Sequence, residues 1–435
     1  MTEQLTVNQE LLHFIGQCPD AFHTIAILSQ KLEAIGYIPL AEQESWELHA
    51  GGKYFVTRNQ SSILAFRIPE GDWRGFMMTA SHSDTPCFKL KPAPLMTEGS
   101  YLKLNTEPYG GMIAESWLDR PLSLSGRVLV ATKSGIAAQL LHIDRDLLSI
   151  PNLAPHMKNS ADKERSLNPQ TDLLPLLGMA DNGEFVGFLA DELGVAPDAI
   201  LDYDLFLYCR QAGSIWGKNH EFVSSPRLDD LLCVFACLQG FVHESHPGIL
   251  PVFAVFDNEE VGSGTKQGAK SGFLYDTLNR ICRSLGKEYA TCLSGSFLLS
   301  CDNGHALHPN RTEKADPTNR PLLNGGVLLK YNANQRYTTD GVSASILRQI
   351  CKQAEIPLQT YVNRSDIPGG STLGNLACEK VSVNSADVGV AQLSMHSAWE
   401  TAGTKDTQYL LDAIKAFYRT AITPETDGSY LLDIR

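Results

Sequence analysis

The rest of the chain can be organised around the segment VFDNEEVGSG, residues Val255–Gly264, where an apolar run ends in three acidic residues and two glycines. The apolar residues 251–256 predict a buried strand of a parallel sheet, and an amphipathic helix is predicted to open near Lys266. In open α/β sheets, ligands bind just beyond the carboxyl ends of the strands. Of the two adjacent glutamates, one can hold a metal and the other can take a proton from the attacking water. A solvated loop with acidic residues before a helix is the alternative.

Strands and helices alternate on both sides of this segment. Before it, helical periodicity covers residues 8–16 and 20–36, and strands are predicted at 53–58, 62–68 and 75–81. From residue 228 onward, the pattern predicts helices at 230–243, 266–284, 340–354 and 405–421, and strands at 249–256, 296–301, 326–331, 357–362 and 379–383. The chain is therefore expected to have an α/β fold, a mixed sheet flanked by helices.

Residues 93–224 interrupt this alternation with short alternating segments and four prolines within residues 151–175. Such a pattern predicts a separate, strand-rich domain. The interruption implies an insertion, so residues 1–92 and 225–435 are expected to form one discontinuous domain around a second domain at 93–224. A length of 435 residues suits two domains better than one core.

The overall composition excludes several classes of partner. Hydrophobic residues make up 43% and charged residues 20%, and the formal net charge is −13, which argues against nucleic acids and anionic membranes as partners. We expect no signal peptide, because the N-terminus lacks a basic region followed by an apolar core, and no run reaches the roughly 18 apolar residues of a membrane span. Ten scattered cysteines without a C-x-x-C pair predict free thiols in the cytoplasm.

Acidic residues and histidines stand at the ends of four predicted strands and at the start of one helix: His82, Asp84, Glu259, Glu260, Asp302, His396 and Asp229. Each alone has an ordinary explanation as a surface pair, a helix cap or a turn residue. If the strands are parallel, these side chains meet at one edge of the sheet. Two histidines and three carboxylates then make a ligand set for a two-metal site that suits zinc. His305 and His308 are spaced like a metal pair but lie beyond the turn that Asp302 begins.

These residues belong to five segments that together resemble the aspartyl aminopeptidases, a family of co-catalytic dizinc exopeptidases, over nearly the whole chain. The segments are TASHSDTP (79–86), SPRLDD (225–230), DNEEVGS (257–263), CDNGHALHPN (301–310) and MHS (395–397). The resemblance implies a zinc-exopeptidase-like fold and two divalent ions, zinc or alternatively manganese or cobalt. It also implies a role for each residue: His82 and Asp302 bind one ion, Glu260 and His396 bind the other, Asp229 bridges both, Asp84 orients His82 and Glu259 is the general base.

The family prefers N-terminal Asp or Glu, and a matching lysine is Lys330 in LLKYNAN (328–334). We expect Lys330 to pair with the substrate's side-chain carboxylate, with a surface lysine as the alternative. His156 in IPNLAPH (150–156) resembles a histidine that reaches into a neighbouring subunit's active site. The resemblance thus implies short peptide substrates and a homo-oligomer, in which dimers joined through the inserted domain assemble further into a dodecamer. After Gly262-Ser263 the family usually has an acidic or polar residue and a small pair, whereas this chain has GTKQG (264–268). Lys266 adds a positive charge near the site that could affect substrate preference, with a solvated helix residue as the alternative.

Two other functions fit the same residues. A dizinc amidohydrolase or deacylase would share the chemistry but would not require a free amine in its substrate. A non-catalytic scaffold would keep the fold alone. The presence of Glu259 beside five ligand candidates argues against a scaffold, which has no need of a base.

Overall fold

The computed structural model describes residues 3–159, 166–180 and 183–435. The helices in these ranges are α1 Glu3–Gln17, α2 Ala21–Ala34, α3 Phe185–Leu193, α4 Leu228–Val242, α5 Phe273–Ser284, α6 Tyr289–Ser294, α7 Gly341–Gln353, α8 Leu373–Cys378 and α9 Asp406–Tyr418. The strands are β1 Ile38–Leu40, β2 Lys53–Arg58, β3 Ser62–Arg67, β4 Gly75–His82, β5 Cys87–Glu98, β6 Tyr101–Tyr109, β7 Leu122–Thr132, β8 Gly135–His142, β9 Leu176–Met179, β10 Ile200–Cys209, β11 Ser214–Trp216, β12 Phe222–Ser225, β13 Ile249–Phe256, β14 Phe297–Cys301, β15 Gly304–His305, β16 Val327–Tyr331, β17 Leu358–Val362, β18 Asn384–Gly389, β19 Ala391–Leu393, β20 Glu400–Gly403, β21 Thr420–Pro424 and β22 Tyr430–Ile434.

A nine-stranded mixed sheet, in the order β1-β2-β3-β13-β4-β14-β18-β16-β17, forms the centre of the molecule. Its central strands β13, β4, β14 and β18 are mutually parallel, whereas β3 and β16 run antiparallel to their neighbours β13 and β18. The predicted α/β class and mixed sheet are confirmed.

Both faces of this sheet are buried, because successive strand residues point to opposite faces. In β13, Phe253 and Val255 join the core formed with α1, α2, α4, α7 and α9. Val252 and Ala254 instead join the core formed with α5, α6 and α8. The continuous apolar run of β13 is therefore the expected sequence of a strand covered by helices on both sides.

A second, antiparallel sheet in the order β8-β7-β10-β5-β6-β9 covers Cys87–Cys209 and has its own hydrophobic core. A third sheet, β11-β12-β20-β19-β15, pairs the end of the predicted insertion with strands late in the chain. β12 at Phe222–Ser225, for example, pairs with β20 at Glu400–Gly403. The division into 1–92, 93–224 and 225–435 stays a prediction. The strand pairing assigns β5, which begins at Cys87, to the second sheet.

The predicted strand at 379–383 is wrong: α8 ends at Cys378 and the strand, β18, begins at Asn384. Val381 is buried from a turn instead. The true strand, NSADVG, is poor in β-branched residues and contains Asp387, a fully buried carboxylate that accepts hydrogen bonds from the hydroxyls of Thr338 and Thr372. A buried acid held by hydroxyl groups leaves no apolar signal in the sequence.

The helix predicted to start near Lys266 begins only at Phe273. Residues 259–261 form a short 3-10 turn, and the chain then packs closely on itself. A Cβ atom at Gly268 would come within 2.3 Å of the carbonyl oxygen of Ser263, so this packing requires glycine. Among the residues that the structure describes, no helix is long and apolar enough to span a lipid bilayer.

Candidate metal centre

The parallel strands bring the predicted site residues to one edge of the central sheet. His82 is the last residue of β4 and lies in register with Phe256, the last residue of β13, which Glu259 and Glu260 follow. Asp302 follows β14 directly. His396 lies in the turn between β19 and β20, and Asp229 lies in the first turn of α4. The site is therefore where an open α/β sheet is expected to bind its ligand.

Within the described residues, three overlapping groups offer ligand atoms that lie within 4.8 Å of one another: His82, Asp229, Asp230 and Asp302; His82, Glu259 and Glu260; and Asp229, Glu260 and His396. Asp229 stands between the two histidines. Its Oδ1 lies 3.7 Å from His82 Nε2, and its Oδ2 lies 3.5 Å from His396 Nε2. Glu260 Oε2 lies 3.4 Å from the same nitrogen of His396. Each carboxylate oxygen of Asp229 thus faces a different histidine, as a bridging ligand requires.

Unpartnered oxygen atoms indicate that this cluster suits a cation. Asp229 Oδ1, Asp230 Oδ1 and Glu260 Oε1 are buried and accept no hydrogen bond from the described residues. A buried acceptor without a partner costs about 1–3 kcal/mol, and more if it is charged. Imidazole nitrogens and carboxylate oxygens are ordinary zinc ligands, so the residues present fit zinc.

The cluster is also strongly acidic. Burial raises the pKa of Glu259 to about 8, with the charge of His82 opposing the rise and that of Asp302 adding to it. Burial likewise raises the pKa of Asp302 to about 6 against the opposing charge of Lys330, and it raises the pKa of Glu260 well above its ordinary value. Divalent cations favour the charged forms of these carboxylates and so offset their mutual repulsion.

Asp84 holds the acidic loop and lies against His82. Its two carboxylate oxygens accept hydrogen bonds from the backbone N–H groups of Glu259 and Glu260, each at 3.1 Å. His82 Nδ1 lies 3.0 Å from the carbonyl oxygen of Asp84 and 3.4 Å from its Oδ1. Tyr109, the last residue of β6 in the second sheet, donates its hydroxyl to Asp84 Oδ2 at 2.7 Å. The second sheet therefore contributes directly to this site.

Two residues of the site have backbone conformations that are rare outside glycine. Asn258 and His396 lie in the left-handed region, with φ values of 60° and 67°. Asn258 Nδ2 donates to the hydroxyl of Tyr109 at 2.8 Å, and His396 Nδ1 lies 2.7 Å from the carbonyl oxygen of Gly111. Each such residue costs of the order of 1–3 kcal/mol and persists because its surroundings hold it.

Glu400 and Asp230 were missed by the sequence reasoning. Glu400 is 1% exposed, and its two oxygens accept the backbone N–H groups of Asp229 at 2.9 Å and of His396 at 2.7 Å. Asp230 accepts the backbone N–H of His82 at 3.3 Å. Asp230 adjoins Asp229, and Glu400 follows His396 by four residues, so proximity in sequence is the only signal that could have found them.

Lys330 lies inside the protein and not on its surface. It is 1% exposed, and its ammonium donates to the carbonyl oxygens of Asp302 at 2.7 Å and Asn303 at 3.1 Å. Its Nζ lies 3.7 Å from the Asp302 carboxylate. The alternative of a surface lysine is therefore wrong.

Three other histidines singled out in the sequence are not members of these ligand groups. His156 is exposed in the 3-10 turn Pro155–Met157. Among the described residues it belongs to none of the ligand groups of its own chain, and neither do His305 and His308.

Comparison with known proteins agrees with this geometry. Residues 14–418 match the family described as "Aminopeptidase I zinc metalloprotease (M18)". A probable M18 family aminopeptidase 2 of Clostridium acetobutylicum is 42% identical over 431 residues, which cover 96% of this chain and 100% of that protein.

Two solved structures extend the comparison. The structure of a complex of Ape4 and Nbr1 has a TM-score of 0.91 and 36% identity, covering 95% of this chain and 86% of that one. The mApe1 dodecamer of S. cerevisiae has a TM-score of 0.83 and 27% identity, covering 95% of this chain and 96% of that one. Fold and sequence together define a zinc-dependent aminopeptidase. The chain belongs to the M18 family.

Proposed function

We propose that the cluster holds two divalent ions, zinc or alternatively manganese or cobalt, and removes the N-terminal residue from short peptides. His82 and Asp302 hold one ion, Glu260 and His396 hold the other, and Asp229 bridges them. The position of Asp229, with one carboxylate oxygen towards each histidine, is the observation that supports this assignment most strongly. When bound, such ions polarise the scissile carbonyl group, activate water and anchor the free amine of the substrate.

Glu259 is the proposed general base. In the metal-free chain burial raises its pKa to about 8, and bound cations would lower that pKa, so that its carboxylate is free to accept a proton near neutral pH. It takes a proton from the attacking water and delivers that proton to the leaving amine. Asp84 supports this role, because its hydrogen bond to the backbone N–H of Glu259 fixes the short turn that carries the base. Asp84 also orients His82.

Lys330 is proposed to favour N-terminal Asp and Glu. Its ammonium holds the backbone beside Asp302 and adds a positive charge at the edge of an otherwise acidic cluster. The positive charge of Lys330 would stabilise a substrate carboxylate bound at this edge, although Lys330 is buried in the structure.

The proposed assembly is a dimer built on the second sheet and repeated into a dodecamer. Large apolar side chains are exposed along this part of the chain, including Tyr101, Ile136, Leu140, Met179 and Leu201. Exposed apolar patches mark protein contacts. His156, exposed in its own chain, would then complete a neighbour's site by donating a hydrogen bond to the developing oxyanion. We propose a cytoplasmic location, because all ten cysteines are free thiols and nine are buried.

The experiment is a panel of reporters with N-terminal Asp, Glu, Leu or Ala, measured with zinc, manganese and cobalt. We expect the wild type to cleave Asp and Glu reporters best and to leave N-acetylated forms intact. Cleavage of acetylated substrates would instead favour an amidohydrolase. Lys330→Met should lower activity on every reporter, because Asp302 loses its support, and should lower it further on Asp and Glu. Equal losses of activity on all four reporters would show that Lys330 does not recognise the side chain of the substrate's N-terminal residue.

A further inference from the structure

We propose that a cleft beside the metal centre binds a carboxylate of the peptide beyond its N-terminal residue. The proposal rests on the aminopeptidase function above and adds a second recognition site to it. The cleft has a volume of about 410 Å³ and is lined by residues from 305–321, 361–370 and 392–394. It begins at His305, three residues after Asp302, and ends at Ser394, two residues before His396. The cleft is therefore lined by the same two segments that carry the proposed ligands Asp302 and His396.

A buried donor without a partner lines the cleft. Gln392 is 1% exposed, and its Oε1 accepts a hydrogen bond from Asn303 Nδ2 at 2.9 Å. That bond fixes the orientation of the amide, and the opposite atom, Nε2, has no partner among the described residues. An unsatisfied buried donor is costly, so a ligand acceptor that reaches Nε2 from the cleft would be stabilised there.

The charge of the lining selects a carboxylate as that acceptor. Arg311, Lys314 and Arg364 line the cleft, and Lys314 has no ion pair within the described part of the chain. Arg311 and Arg364 each form one ion pair, with Glu313 and Asp366, which do not line the cleft.

Asp316 is the one acidic residue in the lining, and its Oδ1 is occupied by hydrogen bonds from the next turn, including the backbone N–H groups of Thr318 and Asn319. In a chain with a net charge of −13, the lining of this cleft carries three cationic side chains and one acidic side chain.

The cleft is separate from the position of Lys330. Tyr361 lines the cleft, and its ring centroid lies 6.2 Å from that of Tyr337. Tyr337 in turn lies under the Lys330 ammonium, 5.1 Å from it. Two aromatic rings thus stand between the cleft and the lysine proposed to meet the N-terminal side chain. An extended peptide advances about 3.3–3.6 Å per residue, so the residues that follow can reach the cleft.

Three tripeptides with N-terminal Asp test the proposal on the intact protein. Asp-Ala-Ala amide has no downstream carboxylate, Asp-Glu-Ala amide has one on a side chain, and Asp-Ala-Ala has one at its C-terminus. We expect Arg311→Gln combined with Lys314→Gln to raise KM about tenfold for at least one carboxylate peptide, with kcat and the neutral amide little changed. The peptide that responds identifies the source of the carboxylate. Lys352→Gln, an exposed lysine of α7 outside the cleft, should change none of the three.

Equal KM values for all three peptides in the wild type, or equal shifts for neutral and acidic peptides in the double variant, would overturn the proposal. Binding of Asp-Glu-Ala amide and of Asp-Ala-Ala, measured by calorimetry in the same proteins, keeps the cleft testable if no peptide is cleaved. Absence of any cleavage would refute the proposed function, whereas an unchanged Kd for both peptides in the double variant would refute the cleft.

Discussion

Glu400 illustrates how a residue outside the proposed ligand set can fix two of its members. One carboxylate accepts the backbone N–H groups of Asp229 and His396, which lie on different elements. This side chain therefore links the carboxylate proposed to bridge the ions to the second histidine. Neighbours of this kind orient metal ligands and commonly change metal affinity when they are altered.

Glu400→Gln should lower zinc affinity about 10–100-fold, because an amide has one acceptor oxygen and turns a donor towards the other N–H group. Competition with a chromophoric chelator measures the affinity directly. Glu10→Gln, an exposed change on α1, is the matched control. Unchanged zinc affinity in Glu400→Gln would show that the peptides of Asp229 and His396 hold their positions without this carboxylate.

Candidate ligands were predicted from their position at the end of a strand or at the start of a helix. This prediction was possible where the apolar pattern marked that end clearly. His82, Glu259 and Asp302 follow strands with clear apolar runs, and the structure brings them together. Glu400 and Tyr109 could not be selected, because each acts through a contact made by tertiary packing and neither follows an apolar strand of the central sheet.

At the level of single elements, burial on both faces of a strand explains which strands could be predicted from the sequence and why β18 could not. β4 and β13 are buried on both faces and could be predicted from continuous apolar residues. β18 is equally internal, but its small residues and Asp387 are held by hydrogen bonds to neighbouring loops. The apolar pattern fails where a buried strand is stabilised by polar partners.

The loops at the strand ends should be destabilised by removing metal, and more so at higher pH. The pKa values of Glu259 and Asp302, about 8 and about 6, lie above their ordinary values of 4.5 and 3.8. Between about pH 4 and pH 8 the folded metal-free chain therefore keeps protons that the unfolded chain has released, on both groups up to about pH 6 and on Glu259 alone above it. Its stability falls as pH rises, because the unfolded state binds fewer protons.

Bound cations remove this penalty, so the difference in Tm between zinc-loaded and chelated protein should grow from about pH 6 to about pH 8. Thermal unfolding at several pH values, with and without chelator, measures it. A difference that stays constant or shrinks across this range would mean that buried Glu259 does not keep its proton there in the metal-free protein.

At the scale of the whole molecule, the second sheet is part of the site. Tyr109 supports Asp84, and the carbonyl oxygen of Gly111 contacts His396. Movement between the two sheets would disturb residues proposed for both metal positions. The same part of the chain carries His156 and the exposed apolar side chains proposed to meet a second subunit.

Mixing two inactive proteins, Glu259→Gln and His156→Ala, tests that assembly. In a mixed dimer one site has an intact Glu259 and receives an intact His156 from its neighbour, so we expect activity to return in part. Size-exclusion chromatography of differently tagged proteins establishes that subunits exchange. Proven exchange without recovery would place His156 outside the neighbour's site.

Zinc content and turnover, measured on the same preparations of wild type and Glu259→Gln, test the central proposal most directly. We expect two zinc ions per chain in both proteins, because Glu259 is not a proposed ligand. Turnover should fall by about 10²–10⁴-fold in the variant, the usual contribution of a general base. Near-normal turnover in the zinc-loaded variant, or a metal-free wild type with full activity in chelator, would contradict a metal centre served by Glu259.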